Sequence, residues 1–253
     1  MTGSLRVVGI GPGPNDWITP EVSAALAAAS DIVGYRSYVS RLGLKEGQVV
    51  HSSDNGDELQ RARQALELTV SGRAVVVVSG GDAGVFGMAS AVFEAIDLGP
   101  LAWRALDVRV LPGITAMLAA SARLGTPLGN DFCTLNLSDN LKPWSVIEKR
   151  LSLAAQADFV ISLYNPASKA RPEQIHKAFE IVRRHRGAET LIVFAQAIGR
   201  PVERVRISTL AEVDPSWADI RTLVIIGAST TRSLARANGE AWIYSPRWLA
   251  EAT

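Results

Sequence analysis

Three glycine-rich turns carry the first chemical signal in the chain: Gly9-Ile10-Gly11-Pro12-Gly13, Gly80-Gly81-Asp82-Ala83-Gly84 and Pro112-Gly113-Ile114-Thr115. Each follows a short apolar run (residues 5–10, 73–79 and 107–111) that reads as a strand. Glycine lets backbone approach a ligand closely, and in open α/β sheets ligands sit beyond the carboxyl ends of strands. Glycines can also serve only to make tight strand–helix turns, but their recurrence at successive strand ends favours a shared cleft. The ligand is not primarily an anion. A G-x-G-x-x-G fingerprint would need glycine at position 14, where Pro14 stands, and Pro12 removes a backbone donor that a pyrophosphate would want. There is no G-x-x-x-x-G-K-[ST] phosphate loop, and no Lys or Arg lies between Val7 and Asp31.

The elements that must hold these turns follow from periodicity. Short apolar runs alternate with helical patterns, which predicts an α/β protein. Thr19 as N-cap and Pro20 in the first turn predict a helix to about residue 29. Strands are predicted over 31–34 and 48–51, then an amphipathic helix over 57–70 with Leu59, Ala62, Leu66 and Val70 on one face. Four consecutive valines within 73–79 suit a strand buried on both faces of a parallel sheet. Helices over about 84–96 and 114–124 flank the 107–111 strand. Residues 125–130 read as an interdomain linker. Beyond it, strands are predicted over 132–137, 159–164, 190–195, 204–209 and 222–226, with helices over 144–155 and 171–185. The reading is two α/β domains, 1–120 and 121–253.

Composition limits what such a protein can do. In 253 residues there are 26 Lys+Arg and 25 Asp+Glu, a net charge of +1, with 47% hydrophobic and 20% charged residues. That supports a sizeable core and excludes disorder. Near-neutrality argues against a dedicated nucleic-acid binder. The single Cys133 and the three histidines (His51, His176 and His185) leave little material for a metal site, so none is expected. No apolar stretch approaches the roughly 20 residues of a membrane span, and the first residues lack a signal-peptide layout. The expectation is a soluble cytoplasmic protein.

The turns, in their order and setting, carry a resemblance. GIGPG with the following TPEVSAAL, SGGDAGVFGMAS at 79–90 and LPGITAMLAASARLG at 111–125 resemble the tetrapyrrole methyltransferase family. Within it, LGNDFCTLNLSDNLKPWSVIEKRL at 128–151, LYNPASKAR at 163–171 and IIGASTTR at 225–232 resemble a branch acting on corrin precursors in cobalamin synthesis. The resemblance implies two α/β domains of the tetrapyrrole methylase type, not the Rossmann-like methyltransferase fold, with a cofactor cleft between them. It also implies S-adenosylmethionine as cofactor, S-adenosylhomocysteine as product, and a homodimer. Residue by residue it assigns to cofactor binding Pro12, Gly80, Gly81, Asp82 and Val85, then Thr115 and Ala116, then Asn165 and, by a looser match, Ala197. Ala83 departs from the proline usual in the family.

The implied substrate is a large reduced tetrapyrrole bearing several carboxylates, which asks for cationic partners in a wide cleft. Arg36, Arg41, Lys142, Lys169 and Arg171 are candidates, each also readable as a solvated surface charge. Of these Arg36, Lys142 and Arg171 join Tyr38 as the substrate set. Tyr35 and Tyr38 could stack on a macrocycle or pack at a domain edge. Methylation coupled to ring contraction needs a proton moved at an oxygenated carbon, so a carboxylate or phenol near the macrocycle could be the general base. Asp139, past the 132–137 strand, and Tyr35 are the catalytic candidates; turn capping is the alternative for Asp139. Asp131, Asp54 and His51 are weaker candidates. The competing readings are a cobalt-containing tetrapyrrole substrate, another ring position, a nucleotide-dependent oxidoreductase and a non-enzymatic tetrapyrrole carrier.

Overall fold

The computed structural model describes residues 3–54 and 56–248. Its contacts divide the chain into two compact units, Met1–Ala116 and Met117–Thr253.

In the first unit the valine run decides the topology. The strands are β1 (Ser4–Gly9), β2 (Asp31–Tyr35), β3 (Val49–Ser53), β4 (Ala74–Ser79) and β5 (Asp107–Leu111), ordered β3-β2-β4-β1-β5 with every pairing parallel. The valines at 75–78 have no polar face, and β4 accordingly has a strand on each side and cover on both faces. Successive side chains alternate between two cores. Leu5, Val7, Val75 and Val77 pack with Ala62 and Leu66 of α3 (Glu58–Val70) and with Ala89 and Val92 of α4 (Met88–Leu98). Val8, Ile10, Val76 and Val78 pack with Val22 of α1 (Pro20–Ala28) and Val39 of α2 (Arg36–Val39). The start of α1 is as predicted: Thr19 Oγ1 accepts from the Val22 N–H at 3.2 Å, and Pro20 occupies the first turn. One residue of the predicted α3 face is corrected. Val70 is exposed, and Ala65, Thr69 and Arg61 are buried instead.

Buried Asp31 opens β2. It accepts from Arg73 Nε at 2.6 Å, Ser30 Oγ at 2.7 Å and His51 Nε2 at 2.9 Å. Burial alone would raise its pKa, but these hydrogen bonds outweigh it and hold the carboxyl at about 2, below the ordinary 3.8. Through this bond His51 of β3 braces the start of β2. A carboxyl with a depressed folded-state pKa stabilises above its unfolded pKa and loses that contribution as pH falls through the folded one. Asp31→Asn should cost about 1–3 kcal/mol near neutrality, since Arg73 stays solvated when its partner goes. The gap to wild type in urea midpoint should narrow between pH 4 and pH 2; a constant gap would contradict this.

The second unit continues with α5 (Ala116–Leu124), β6 (Gly125–Thr126), β7 (Phe132–Asn136), α6 (Trp144–Gln156), β8 (Val160–Tyr164), α7 (Gln174–Arg183), β9 (Leu191–Gln196), β10 (Arg204–Thr209), β11 (Thr222–Ile226), β12 (Arg232–Ala235) and β13 (Ala241–Tyr244). Its main sheet is mixed, ordered β10-β9-β11-β8-β7; only the edge pair β7–β8 is parallel. Ile147, Leu151, Ile175 and Phe179 of α6 and α7 pack on Ile161, Leu163, Ile192 and Phe194 of the sheet.

The predicted 125–130 linker is corrected. Gly125 and Thr126 pair in parallel with Ile243 and Tyr244, making a small sheet β12-β13-β6. Ser245 locks it, its hydroxyl donating to the Pro127 carbonyl at 2.6 Å and its N–H to the Thr126 carbonyl at 3.1 Å. Residues 241–244 are thus a strand of the second unit, with Ile243 buried and Trp242 half-exposed beneath the Arg236 guanidinium, 5.0 Å from its ring. The basic run at 183–186 is likewise only partly solvated. Arg186 is buried, paired with Asp158 and donating to the Phe159 carbonyl at 2.8 Å.

Candidate functional site

Strands β4, β1 and β5 are neighbours, so the three glycine turns emerge side by side at one edge of the first sheet. They interlock through backbone. Gly11 N–H donates to the Gly81 carbonyl and Ile10 N–H to the Ser79 carbonyl, both at 3.0 Å. A Cβ on Gly9 would stand 2.5 Å from Gly81 O, and one on Gly113 would stand 2.4 Å from Gly81 O and 2.5 Å from Gly9 O. These glycines are demanded by loop-to-loop packing, whereas Gly81 is demanded by its own backbone, φ +65°, a Cβ there making only ordinary contacts of 3.7 Å or more.

Asp82 ties the turns together. One carboxylate oxygen accepts from Gly84 N–H at 2.8 Å and the other from Gly113 N–H at 2.9 Å. Thr115 is buried just beyond Gly113; Ala116 begins α5, and Val85 is half-buried in the loop after β4. Replacing Asp82 by Ala removes both charge-assisted bonds at once, so binding of S-adenosylhomocysteine should weaken by about tenfold or more in calorimetry. Unchanged affinity would take the residue out of the site.

The first turn carries a correction. Its own residues include no cation, yet Arg41 reaches it and donates to the carbonyls of Gly11 (3.3 Å) and Gly13 (2.6 Å). Arg41 is a brace for the Pro12 turn and not a free surface charge. Tyr38 lies against Gly80, where a Cβ would meet its ring at 2.7 Å, and stands edge-on to Tyr35 with centroids 5.2 Å apart. Arg36 is exposed and pairs with exposed Asp54 at 3.5 Å. Buried Arg61, which sequence reasoning passed over, donates to Ser53 Oγ and the Asp54 carbonyl and so holds that loop.

In the second unit the sequence candidates again gather at strand ends. Asn165 and Ala197 directly follow β8 and β9, and both adopt left-handed backbone, φ +51°. Such conformations are disfavoured for these residues and recur at ligand sites. The Asn165 amide donates to Asn136 Oδ1 at 3.0 Å, and that oxygen also accepts from Ser138 N–H at 2.8 Å. Asp139 follows and accepts from Gln174 Nε2 at 3.2 and 3.4 Å. Gln174 opens α7 three residues later than predicted, and it is buried. A glutamine on the Ile175/Ala178/Phe179/Val182 stripe was the available signal. Arg171 therefore lies in a loop, its backbone bridged to Ser168 and one guanidinium nitrogen buried without an acceptor. Lys142 is half-buried, and burial with the nearby Arg150 charge lowers its pKa, against the opposing pull of Asp139.

Other candidates are placed elsewhere. Asp131 is exposed. His185 Nε2 shares a hydrogen bond with Ser152 Oγ at 2.8 Å. Cys133 is partly buried, and burial pushes its thiol pKa up, which disfavours a thiolate nucleophile. It lines an open apolar depression of about 600 Å³ with Leu153, Ala157 and Phe159, at the opposite end of β7 and β8 from Asp139 and Asn165. Among the described residues no three His, Cys, Asp or Glu side chains group as a metal site, and no helix is long and apolar enough to cross a membrane.

Two α/β units with ligand-type loops at strand ends define the fold class. The profile of the tetrapyrrole (corrin/porphyrin) methylases matches residues 4–214, and the chain belongs to that family. It is 51% identical over 253 residues to a precorrin-3B C(17)-methyltransferase of a Sinorhizobium species, covering 100% of both chains. A probable cobalt-factor III C(17)-methyltransferase of Salmonella typhimurium is 40% identical over 228 residues, 90% of this chain and 93% of the relative. The crystal structure of the methyltransferase CobJ superposes with a TM-score of 0.91 at 50% identity, covering 96% of this chain and 100% of that one.

Proposed function

We propose that the protein transfers a methyl group from S-adenosylmethionine to C17 of precorrin-3B, with ring contraction to precorrin-4, in cobalamin synthesis. The observation that carries this reading is end-to-end likeness to a precorrin-3B C(17)-methyltransferase at 51% identity. The donor set supports the cofactor. Asp82 is the only charged residue between Gly80 and Phe93, and none lies between Pro112 and Ala122. Backbone and apolar walls of that kind suit a cationic sulfonium better than they would a phosphate.

When bound, S-adenosylmethionine supplies an activated methyl group. The chain's part is chiefly alignment, which can contribute on the order of 7–11 kcal/mol. Pro12, Gly80, Gly81, Asp82 and Val85 would hold the methionine part, with Thr115 and Ala116 beside them. Asn165 and Ala197 would hold the adenosine end. Arg36, Lys142 and Arg171 would receive macrocycle carboxylates, the unpartnered nitrogen of Arg171 being a ready donor. Tyr35 and Tyr38 would bound the ring, and Asp139 would take the proton from the oxygenated carbon's hydroxyl. The protein works in the cytoplasm as a homodimer.

A second reading, a cobalt-containing substrate, is favoured by the likeness to the cobalt-factor III relative. Anaerobic assays offering precorrin-3B and its cobalt counterpart side by side separate the two. We expect turnover of the metal-free substrate; exclusive use of the cobalt compound would overturn the first reading. Tight nicotinamide binding without S-adenosylhomocysteine binding would overturn both.

A further inference from the structure

Gln174 is a polar side chain in an apolar place. It opens α7 and is buried, on the same helix face as Ala178 and Ile181, both of which belong to the core of the second unit. Its Oε1 is buried without a hydrogen-bond partner, so the fold carries the full desolvation of that oxygen. An apolar side chain of the same volume would fill the position without that cost. What the glutamine provides instead is its amide Nε2, which donates to both carboxylate oxygens of Asp139, at 3.2 and 3.4 Å.

Asp139 lies in the irregular stretch between β7 and α6. That stretch supplies little rigidity of its own, since Asn140 is exposed and Leu141 is 97% exposed. Its beginning is fixed by Ser138 N–H, which donates to Asn136 Oδ1 at 2.8 Å. A backbone bond at residue 138 does not set the side-chain torsions of residue 139. The helix can do so: α7 packs on the sheet through Ile175 and Phe179, and a donor mounted on its first turn holds its place. A reacting group on a loop is precisely placed only when a rigid element supports it.

We propose that Gln174 is a positioning residue for the proton transfer: its amide, carried on α7, aims the Asp139 carboxylate at the hydroxyl of the macrocycle. The inference rests on the reading of Asp139 as the base given above. The proton passes from the hydroxyl to Asp139, and the glutamine N–H donates throughout without being transferred. Gln174 touches neither cofactor nor macrocycle and acts only through Asp139.

The test compares wild type with Gln174→Met, Asp139→Asn and the double variant. Methionine suits an apolar stripe and fills a similar volume, so the melting temperature of Gln174→Met should stay within about 3 °C of wild type. Its kcat should fall about ten- to hundredfold, with KM for precorrin-3B and affinity for S-adenosylhomocysteine unchanged. In the Asp139→Asn background the same change should slow turnover no further, because an amide that takes no proton gains nothing from being aimed. A wild-type rate in Gln174→Met, beside a slow Asp139→Asn, would overturn the inference and leave the base reading standing. An equal fall in both backgrounds would also overturn it. So would a raised KM or a much lower melting temperature, either of which marks a purely structural residue. Full activity in Asp139→Asn would remove the base reading and the inference together.

Discussion

Gly113→Ala is expected to lower the melting temperature by roughly 6–12 °C and turnover by about a hundredfold. The added carbon would stand 2.4–2.6 Å from Gly81 O, Gly9 O and Gly9 C, all backbone atoms. No side chain can swing aside, so the turns after β1, β4 and β5 must part. Parting them pulls Gly113 N–H from Asp82 and displaces Thr115 and Ala116 together. Gly187→Ala is the control, because its Cβ would meet nothing within 4 Å. Thermal melts and initial rates on the two variants check the prediction; matching behaviour would show that the interlock is not what orders the loops.

The second large effect is expected at Asp139. If its carboxylate takes the proton, Asp139→Asn should lower kcat by about 10²–10⁴ while KM and cofactor affinity stay near wild type. The asparagine is isosteric and can still accept from Gln174, so folding should survive. Stopped-time product analysis checks this. Full activity would return Asp139 to a turn-capping role and leave Tyr35 as the remaining candidate base.

Much of this architecture was legible in the residues. The valine run dictated a central strand because a stretch with no polar face cannot sit at an edge, and strands over 107–111, 204–209 and 222–226 fall at the predicted positions. What escaped had weak local signals. All four residues of β12 are exposed, and β6 has two residues, so neither shows the half-buried alternation by which strands are recognised. α7 starts at Gln174 and not at the predicted 171, because the Ser168–Arg171 bridge keeps that stretch in the loop.

At the site, the glycine turns were visible but their division of labour was not. Gly9 and Gly113 answer to neighbouring loops that lie about 70 and 30 residues away in sequence, which no local pattern encodes. Arg41 looked like a substrate cation because its acceptors are carbonyls, which are invisible in a string of side chains. The left-handed backbone of Asn165 and Ala197 gave no signal at all, since backbone strain appears only in coordinates.

The central claim is methyl transfer to one carbon with contraction of the ring. Incubation with methyl-¹³C S-adenosylmethionine and precorrin-3B, followed by ¹³C NMR and mass analysis of the product, tests it most directly. The account predicts a single labelled methyl at C17 of a ring-contracted product. A label at another ring position, or an uncontracted and unlabelled macrocycle, would contradict it.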